Sequence, residues 1–225
     1  MSGTVRGDAI AQTWVANAGA WIQAVRGERL ESRRVATDAA ILRAVSRQPV
    51  QRVLDVGCGE GWLLRALADA GKDVVGIDVS PGLVDAARRA GAGAVHLMSY
   101  DAFAADPTCL GRFDGAICNF SLFEENLTPL LAAVCAALHP GGFLFVQTLH
   151  PSHAQEGGNA RGWREENFEQ LADLGFRPTA WFSHPTEAWT AMLADAGLRE
   201  VHTDTVSHPH SGVALSLLIC ASKAL

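Results

Sequence analysis

The run Val53-Leu54-Asp55-Val56-Gly57-Cys58-Gly59-Glu60-Gly61 constrains the fold of this chain more than any other segment. It begins with β-branched and apolar residues, which are typical of a buried strand, and then alternates glycine with other residues. Because glycine tolerates positive φ angles, the alternation predicts a tight turn that leads into a helix. A second short apolar segment ends at Asp78. Strand, turn, helix and strand in this order predict the start of a parallel α/β sheet.

The remainder of the chain continues the alternation of helical and extended patterns. We predict helices at 9–25, 28–47, 61–70, 81–90, 127–138 and 186–196, and strands at 51–56, 73–77, 94–98, 113–119, 142–149, 198–206 and 213–221. Such an alternation favours right-handed crossovers and a Rossmann-like, doubly wound sheet that helices cover on both faces.

The length of 225 residues predicts one domain, 1–225, with four parts. These are an N-terminal helical cap (1–48), a cofactor-binding core (49–150), an insertion (151–185) and the C-terminal part of the sheet (186–225). The insertion breaks the alternation and carries several charges beside Trp163. We therefore interpret it as a lid or substrate loop with one short helix.

The spacing of the glycines indicates which ligand the turn receives. Dinucleotide-binding turns have the spacing G-x-G-x-x-G and place a helix N-terminus against a pyrophosphate. Here the spacing is G-x-G-x-G, and Glu60 lies inside the turn, where its charge would repel a pyrophosphate. A sulfonium-bearing nucleoside has no phosphate and tolerates nearby acids such as Asp55. Asp55, Asp78 and Asp101 also fall at the carboxyl ends of predicted strands, where open α/β sheets bind ligands.

With these motifs, the chain resembles the class I S-adenosylmethionine-dependent methyltransferases, well over residues 50–150 and loosely over 186–222. The resemblance implies the strand order 3-2-1-4-5-7-6 with strand 7 antiparallel, and S-adenosyl-L-methionine as the cofactor, with S-adenosyl-L-homocysteine as its product. Residues 55–61 match the first motif, which contacts the methionine part, and Asp78 matches the acid that binds the ribose hydroxyls. Asp101 would accept from the adenine amino group and Ala102 would donate from its backbone. The cofactor-binding residues predicted in this core are Asp55, Gly57, Cys58, Gly59, Gly61, Asp78, Val79, Asp101, Ala102, Asn119 and Phe120.

The N-terminal helices supply further candidates for the cofactor site. In small-molecule members of this family such helices cap the cofactor, and an arginine can bind the methionine carboxylate. Arg33 and Arg34 are the candidates for that arginine, although a solvated helix face explains either one equally well. Trp21 either covers the site or packs on the sheet.

The acceptor side is predicted from residues after the fourth and fifth strands. Phe123 and Glu124 point towards the acceptor or begin a helix, and the chain lacks the two prolines that nucleic-acid N-methylating enzymes carry there. Aromatic residues of the insertion indicate a planar or apolar acceptor, or only a small core of the insertion itself. The insertion candidates are Trp163, Arg164, Phe168, Trp181, Phe182 and His184, of which Trp163, Trp181 and His184 are the predicted substrate-binding residues.

A catalytic base is required only where the acceptor arrives protonated. His150 is the candidate base, because it follows the fifth strand and histidine titrates near neutrality, with His153 as a weaker candidate. A strand-end role for His150 is equally compatible with the pattern. The surrounding Thr148-Leu149 is similar to the ubiquinone-pathway O-methyltransferases, which have a different polar residue at the position of His150.

Composition excludes several other classes of function. The net charge of −6 gives no basic surface for nucleic acid, and no segment reaches the roughly 18 apolar residues of a membrane span. Five scattered cysteines without a C-x-x-C pair argue against a disulfide framework or zinc site, and we predict no metal. We expect a cytoplasmic protein, since no signal pattern is present at the N-terminus, and a monomer or homodimer.

The sequence therefore predicts a methyltransferase that acts on a small-molecule acceptor, by O-methylation of a phenol-like, quinol-like or other aromatic metabolite. N- or C-methylation, a non-catalytic S-adenosylmethionine-binding protein and, less favoured, a nicotinamide-dependent oxidoreductase remain as alternatives.

Overall fold

The computed structural model describes residues 3–154 and 160–225, so that residues 155–159 of the predicted lid lie outside the described part. Its helices are α1 (Gly3–Arg26), α2 (Asp38–Ser46), α3 (Trp62–Asp69), α4 (Pro81–Arg89), α5 (Tyr100–Ala105), α6 (Thr128–Ala137) and α7 (Thr186–Asp195). Its strands are β1 (Arg52–Val56), β2 (Asp73–Asp78), β3 (Ala94–Leu97), β4 (Phe113–Asn119), β5 (Leu138–Leu149), β6 (Gly162–Glu166), β7 (Thr179–Ser183), β8 (Leu198–Ser207) and β9 (Ala214–Lys223).

Seven strands form one mixed sheet in the order β3-β2-β1-β4-β5-β9-β8. β9 is antiparallel to both of its neighbours, and the pairs from β3 to β5 are parallel. Counted along the chain within this sheet, the order is 3-2-1-4-5-7-6 with the seventh strand antiparallel. The predicted Rossmann-like topology is therefore confirmed.

The apolar strands at the centre of the sheet are buried on both faces. Leu54 and Val56 of β1 belong to one apolar cluster, together with Leu131 of α6. Val53 of the same strand belongs to a second cluster, which includes Leu64 of α3. Since successive side chains of a strand point to opposite faces, the two clusters are the two layers between the sheet and its helices.

The N-terminal part departs from the prediction at both helices. α1 begins at Gly3 instead of residue 9, and the second predicted helix contains a π-helical segment, Arg33–Thr37, before α2. α5 was not predicted; the Ser99 side chain accepts from the Ala102 amide at 3.1 Å and caps this short helix. Ser99 was the available sequence signal, because serine is a favoured N-cap residue.

The insertion contains an antiparallel hairpin of β6 and β7, with 3₁₀ turns at Pro151–Ala154 and Glu169–Leu174, where the sequence predicted only one short helix. Aromatic residues such as Trp163, Trp181 and Phe182 suit a half-buried strand, which explains the difference. The segment packs against α1: Asn17 donates to the Arg177 carbonyl at 2.9 Å and accepts from the Arg177 amide at 2.8 Å. No helix within the described ranges is long and apolar enough to cross a membrane.

Candidate functional site

The turn between β1 and α3 requires glycine at Gly57 for two reasons. Its φ is +78°, which L side chains rarely adopt. An added Cβ would also lie 2.4 Å from Ser121 Cβ and 2.8 Å from the Tyr100 hydroxyl. At Gly59, where φ is +57°, an added Cβ would lie 3.5 Å from Nε1 of Trp21 on α1. The backbone of the turn is therefore exposed to a ligand between the sheet and α1.

Asp78, at the end of β2, is anchored by backbone amides. Its Oδ2 accepts from the Gly59 amide at 2.9 Å, and its Oδ1 accepts from the Ser80 amide at 2.8 Å. Burial raises the pKa of this carboxyl, and the backbone hydrogen bonds oppose that increase. The two bonds fix the carboxylate beside the glycine turn, with acceptor capacity left for ligand hydroxyls.

Asp55, at the end of β1, is buried, and its Oδ1 has no hydrogen-bond partner among the described residues. Burial, reinforced by the nearby Asp78 charge, raises the pKa of Asp55 to about 8. A cation beside it would favour the ionised form. Asp55 does not itself line the cavity described below.

Glu60 does not play the part that the sequence suggested. Its carboxylate is fully buried and contacts Arg26 of α1 at 2.8 Å and Arg65 of α3 at 2.8 Å. The side chain therefore links α1 to the glycine turn and does not line the cavity that Gly57 and Gly59 line. The argument that Glu60 repels a pyrophosphate is wrong, because the charge is neutralised by two guanidinium groups.

Arg33 lies at the edge of the same turn. Its Nε and Nη2 donate to Asp38 at 3.0 and 3.1 Å, and its guanidinium lies 4.5 Å from the centre of the Trp62 ring. The remaining Nη1 is buried without a hydrogen-bond partner in the described chain. Arg34 is exposed and lies outside the cavity. Of the two candidate arginines, only Arg33 is positioned for a ligand.

These groups surround one cavity of about 400 Å³ at the carboxyl ends of β1, β2 and β4, a volume in the range of small-molecule sites. Of the predicted cofactor residues, the cavity is lined by Trp21, Arg33, Gly57, Cys58, Gly59, Asp78, Val79, Asp101, Asn119 and Phe120. Gly61 lies outside it, with the Cβ atoms of Ala92 and Ala87 at 2.6 and 2.9 Å from its Cβ position, so it serves helix packing. Ala102 also lies outside the cavity, and its amide caps α5.

The turn after β4 places a backbone of uncommon conformation at the cavity. Phe120 has a φ of +51°, and its amide donates to the Gln147 carbonyl at 2.7 Å. Such conformations of non-glycine residues concentrate at functional sites. Asn119 next to it lines the cavity and keeps a buried side-chain oxygen without a partner among the residues described.

An aromatic wall lies opposite the sheet, formed by Trp14 and Trp21 of α1 and Phe123 of the β4–α6 loop. The rings of Trp14 and Phe123 are stacked, with centroids 5.7 Å apart and planes at 17°. Trp14 meets Trp21 edge to face, with centroids 5.3 Å apart. The wall comes mainly from the cap helix, whereas the sequence assigned it to the insertion.

The acceptor candidates of the insertion divide into two groups. Trp163 lines the cavity. Trp181 and His184 are buried outside it; the His184 ring lies 5.3 Å from the Trp189 ring of α7, and its Nε2 is 3.1 Å from the Glu124 carbonyl. Burial lowers the pKa of His184. His184 therefore packs between the hairpin and α7, and both residues belong to a small core of the insertion, which is the alternative that the sequence left open.

The candidate bases also lie outside the cavity. The His150 ring contacts Ser152 Oγ at 2.7 Å and Thr205 Oγ1 of β8 at 3.1 Å, and His153 Nε2 contacts the Ala214 carbonyl at 2.7 Å. Both imidazoles therefore join the end of β5 to the neighbouring strands. The strand-end role, not the role of a base, agrees with this placement.

Acidic residues line the other end of the cavity. They are Asp8, Glu124 and Glu125, and Asp101, the residue predicted at the adenine, lies beside Glu124. Burial raises the pKa of Glu124, and the Asp101 and Asp8 charges raise it further. Asp8 was missed by the sequence analysis because nothing in its surroundings distinguishes it from any exposed helix acid. Tyr100, which also lines the cavity, was missed because α5 was not predicted.

Comparisons with known proteins agree with this geometry. Residues 53–142 match the model of a methyltransferase domain family. The chain is 37% identical over 110 residues to a ubiquinone biosynthesis O-methyltransferase of Xanthomonas oryzae pv. oryzae, and this alignment covers 46% of this chain and 45% of that protein. It is 30% identical over 172 residues to a malonyl-[acyl-carrier protein] O-methyltransferase of Serratia marcescens, and that alignment covers 74% of this chain and 62% of that protein. The matches thus span between 45% and 62% of the length of these curated relatives.

Solved structures also resemble this chain, and one of them aligns over its entire length. It is the 1,6-didemethyltoxoflavin-N1-methyltransferase of Burkholderia thailandensis with bound 1,6-didemethyltoxoflavin and S-adenosylhomocysteine. The TM-score is 0.68 at 20% identity, and the alignment covers 100% of this chain and 92% of that one. At this identity the likeness concerns the fold, and that fold includes the cap helix and the insertion.

Proposed function

Because the chain belongs to the class I S-adenosylmethionine-dependent methyltransferases, we propose that it transfers a methyl group from S-adenosylmethionine to an oxygen of a small aromatic metabolite. One observation carries the proposal: the glycine turn and Asp78 form one end of a cavity whose other end is aromatic and acidic. A cofactor and a planar acceptor can therefore lie side by side in the same enclosed space.

The residues present fit S-adenosylmethionine. Gly57 and Gly59 line the cavity with backbone of positive φ, and Arg33 and Asn119 each have a buried polar atom without a partner in the described structure. We assign Asp78 to the ribose hydroxyls, Arg33 to the methionine carboxylate and Asp101 to the adenine amino group. A guanidinium and a carboxylate form strong charge-assisted hydrogen bonds, and carboxylate oxygens suit hydroxyl donors.

When bound, the cofactor supplies an electrophilic methyl group, so the protein has to align the acceptor with that group and exclude water. Alignment of two bound reactants can account for about 7–11 kcal/mol of the barrier. Trp14, Trp21 and Phe123 provide a rigid apolar surface against which a planar ring can be held. α1, held to the turn by the Arg26–Glu60 ion pair, covers the cavity from solvent.

The assignment of an oxygen acceptor takes support from two relatives, both of which are named O-methyltransferases. The malonyl-[acyl-carrier protein] in one of those names provides a contrast, since a carboxylate acceptor would meet the acidic end of this cavity. A phenol or quinol avoids that repulsion. Mass spectrometry and NMR of the product would distinguish oxygen, nitrogen and carbon as the methylated atom.

Calorimetric titration tests the cofactor assignment. We expect binding of S-adenosylmethionine and S-adenosylhomocysteine and none of NAD or NADP. Asp78→Asn keeps the shape of the side chain but removes its charge, and should weaken S-adenosylhomocysteine binding by about 1.5–3 kcal/mol. Asp69→Asn, at an exposed position at the end of α3, is the matched control.

Binding of a nicotinamide cofactor, or of none of the four ligands, would contradict the proposal. Binding without turnover of any acceptor would indicate a non-catalytic binding protein.

A further inference from the structure

We infer that Glu124 accepts the proton of the methyl acceptor, and that its cavity selects neutral or cationic aromatic acceptors over carboxylates. The inference rests on the proposed function, since it concerns the acceptor end of the same cavity. It adds a residue that takes part in proton transfer and a selection of acceptors by their charge. Neither follows from the cofactor assignment.

Glu124 has the position and the freedom that the role requires. It lies in the loop after β4, directly after Phe123 of the aromatic wall, and is neither fully buried nor fully exposed. Its carboxylate approaches the backbone of α1 so closely that an added Cβ at Gly7 would lie 3.1 Å from Oε1 and 3.2 Å from Oε2. Among the described residues, residue 124 is hydrogen-bonded through its backbone carbonyl, so the carboxylate keeps its acceptor capacity for a ligand.

The other oxygen and nitrogen groups near the acceptor end are already engaged or less enclosed. The Tyr100 hydroxyl donates to the Ser121 carbonyl at 2.9 Å, and the Ser121 hydroxyl donates to the Val56 carbonyl at 2.6 Å. Asp8, Asp101 and Glu125 are exposed to solvent. The His184 imidazole faces the Glu124 carbonyl, not its carboxylate. Among the described residues near the acceptor end, Glu124 is thus the base that is partly enclosed.

The charges around Glu124 explain both parts of the inference. Asp8 from α1, Asp101 from α5 and the adjacent Glu125 face the same space, and burial together with the first two raises the pKa of Glu124. A base is most effective when its pKa lies close to the working pH, so the increase favours proton transfer. Asp8, Glu124 and Glu125, which are not assigned to the cofactor, repel an anionic acceptor. Arg33, the cation that lines the cavity in the described chain, is paired with Asp38 at the cofactor end.

The proton transfer balances with methyl transfer. The proton of the acceptor hydroxyl, or of an N–H group, moves to the Glu124 carboxylate, and the electron pair of that bond stays on the acceptor atom. An electron pair of this atom forms the new bond to the methyl carbon, while the carbon–sulfur bond breaks and its pair remains on sulfur. Glu124 ends protonated and returns its proton to solvent after the product leaves.

Three probes that share a phenol and differ in charge test the selection: 4-hydroxybenzyl alcohol, 4-hydroxybenzylamine and 4-hydroxybenzoate. Each is titrated into the full chain saturated with S-adenosylhomocysteine, with quenching of tryptophan fluorescence as the readout. We expect the alcohol and the amine to bind at least about ten-fold more tightly than the benzoate. The preference should shrink in Glu124→Gln and persist in Glu187→Gln, which removes an exposed carboxylate on α7 outside the cavity.

Turnover of the alcohol and the amine with S-adenosylmethionine tests the proton transfer. Glu124→Gln should lower kcat by about 10²-fold or more, with S-adenosylhomocysteine affinity unchanged. Wild-type kcat should rise with pH as Glu124 ionises, and that rise should be absent in Glu124→Gln and present again in Glu124→Asp. A substitution that only disturbs the structure would lower kcat by the same factor at every pH and keep its rise with pH. If kcat of Glu124→Gln still rose with pH as in the wild type, the role of Glu124 as a base would be refuted.

A backbone substitution provides an independent test. Gly7→Ala would press a Cβ against the Glu124 carboxylate and displace it, so kcat should fall without a loss of stability. Gly19→Ala is the matched control in the same helix, since nothing lies within 4 Å of its Cβ position. Tighter binding of the benzoate, or binding of none of the three probes, would overturn the inference. Absence of S-adenosylhomocysteine binding, or binding of the probes without turnover at any pH, would instead overturn the proposed function.

Discussion

The two ends of the cavity are built in different ways. The end that we propose for the cofactor, the cofactor end, is formed by segments that the sheet itself brings together: the turn after β1, the end of β2 and the end of β4. The end that we propose for the acceptor, the acceptor end, is formed by α1, the β4–α6 loop and the insertion, which are joined by contacts such as that between Asn17 and Arg177, 160 residues apart. One end is fixed by strand pairing, and the other depends on long-range contacts between loops and helices.

This difference predicts that substitutions at the two ends fail in different ways. At the cofactor end, a larger side chain would collide with the backbone of the sheet, and the sheet cannot move aside without loss of the fold. At the acceptor end a changed contact loosens a segment that carries its own small core, while the sheet stays intact.

Gly57→Ala should be the most damaging single change. The new Cβ would lie 2.4 Å from Ser121 Cβ on a backbone with φ of +78°. The left-handed conformation costs about 1–2 kcal/mol for an L residue, and the steric conflict about 1–3 kcal/mol more. Urea unfolding measures the loss, and we expect S-adenosylhomocysteine binding to disappear with it.

Gly71→Ala is the control for this substitution. Gly71 has φ of +80° but nothing within 4 Å of its Cβ position. It should therefore show only the conformational cost of about 1–2 kcal/mol and bind S-adenosylhomocysteine normally. Equal losses at both glycines would mean that close packing against Ser121 does not constrain the turn.

Asp55→Asn should change how stability depends on pH. Since burial raises the pKa of Asp55 to about 8, the folded protein keeps a proton that the unfolded chain has released above pH about 4. Wild-type stability therefore decreases as pH rises through this window, by up to about 1.4 kcal/mol per pH unit from this one group. Asparagine cannot ionise, so the decrease is lost in the variant.

Urea unfolding at several pH values between 5 and 8 measures this difference, because the contributions of other groups cancel between variant and wild type. The stability of Asp55→Asn relative to wild type should increase steadily with pH. Asp69→Asn at an exposed position should show a flat difference. A flat difference for Asp55→Asn as well would mean that Asp55 is ionised in the folded state.

The cofactor end was largely predictable from sequence, for a physical reason. Glycine spacing and acids at strand ends are local patterns, and the topology of a doubly wound sheet brings strand ends together whatever the loops contain. Gly57, Gly59 and Asp78 therefore line one cavity, and their contact with the cofactor stays a prediction. Glu60 is the exception. The sequence places an acid in the turn, but the direction of its side chain is set by ion pairs with Arg26 and Arg65, which no local sequence pattern connects to Glu60.

The acceptor end was predicted less well because its geometry is non-local. Trp181 and Trp163 both lie in the hairpin of the insertion, yet Trp181 packs inward while Trp163 reaches the cavity. Composition alone cannot separate these two directions. Asp8 enters the cavity only because α1 extends back to Gly3 and lies across the insertion. Such contacts appear only when the complete chain is folded.

Asn17→Ala should loosen the acceptor end alone. Asn17 is 1% exposed and makes two hydrogen bonds to the Arg177 backbone, so its loss leaves a peptide group unpaired at a cost of about 1–3 kcal/mol. We expect faster hydrogen exchange in the β6–β7 hairpin and weaker phenol binding, with S-adenosylhomocysteine affinity unchanged. Thr13→Ala on the same helix, which loses only an exposed bond to the Ala9 carbonyl, should do neither. Faster exchange in β1 and β2 would show that the two ends are not separable.

His150→Ala should have the smallest effect, although the sequence placed a candidate base there. The imidazole contacts Ser152 and Thr205 outside the cavity, and burial together with the nearby His153 lowers its pKa, so it is neutral at physiological pH. Loss of these bonds should cost within about 1 kcal/mol of stability, with kcat and S-adenosylhomocysteine affinity unchanged. The comparison with Glu124→Gln is decisive, because both variants remove a titratable group near a strand end but only Glu124 lines the cavity. If His150→Ala lowered kcat and Glu124→Gln did not, the acceptor would have to approach from the β5 side, and the acidic end of the cavity would not be its binding site.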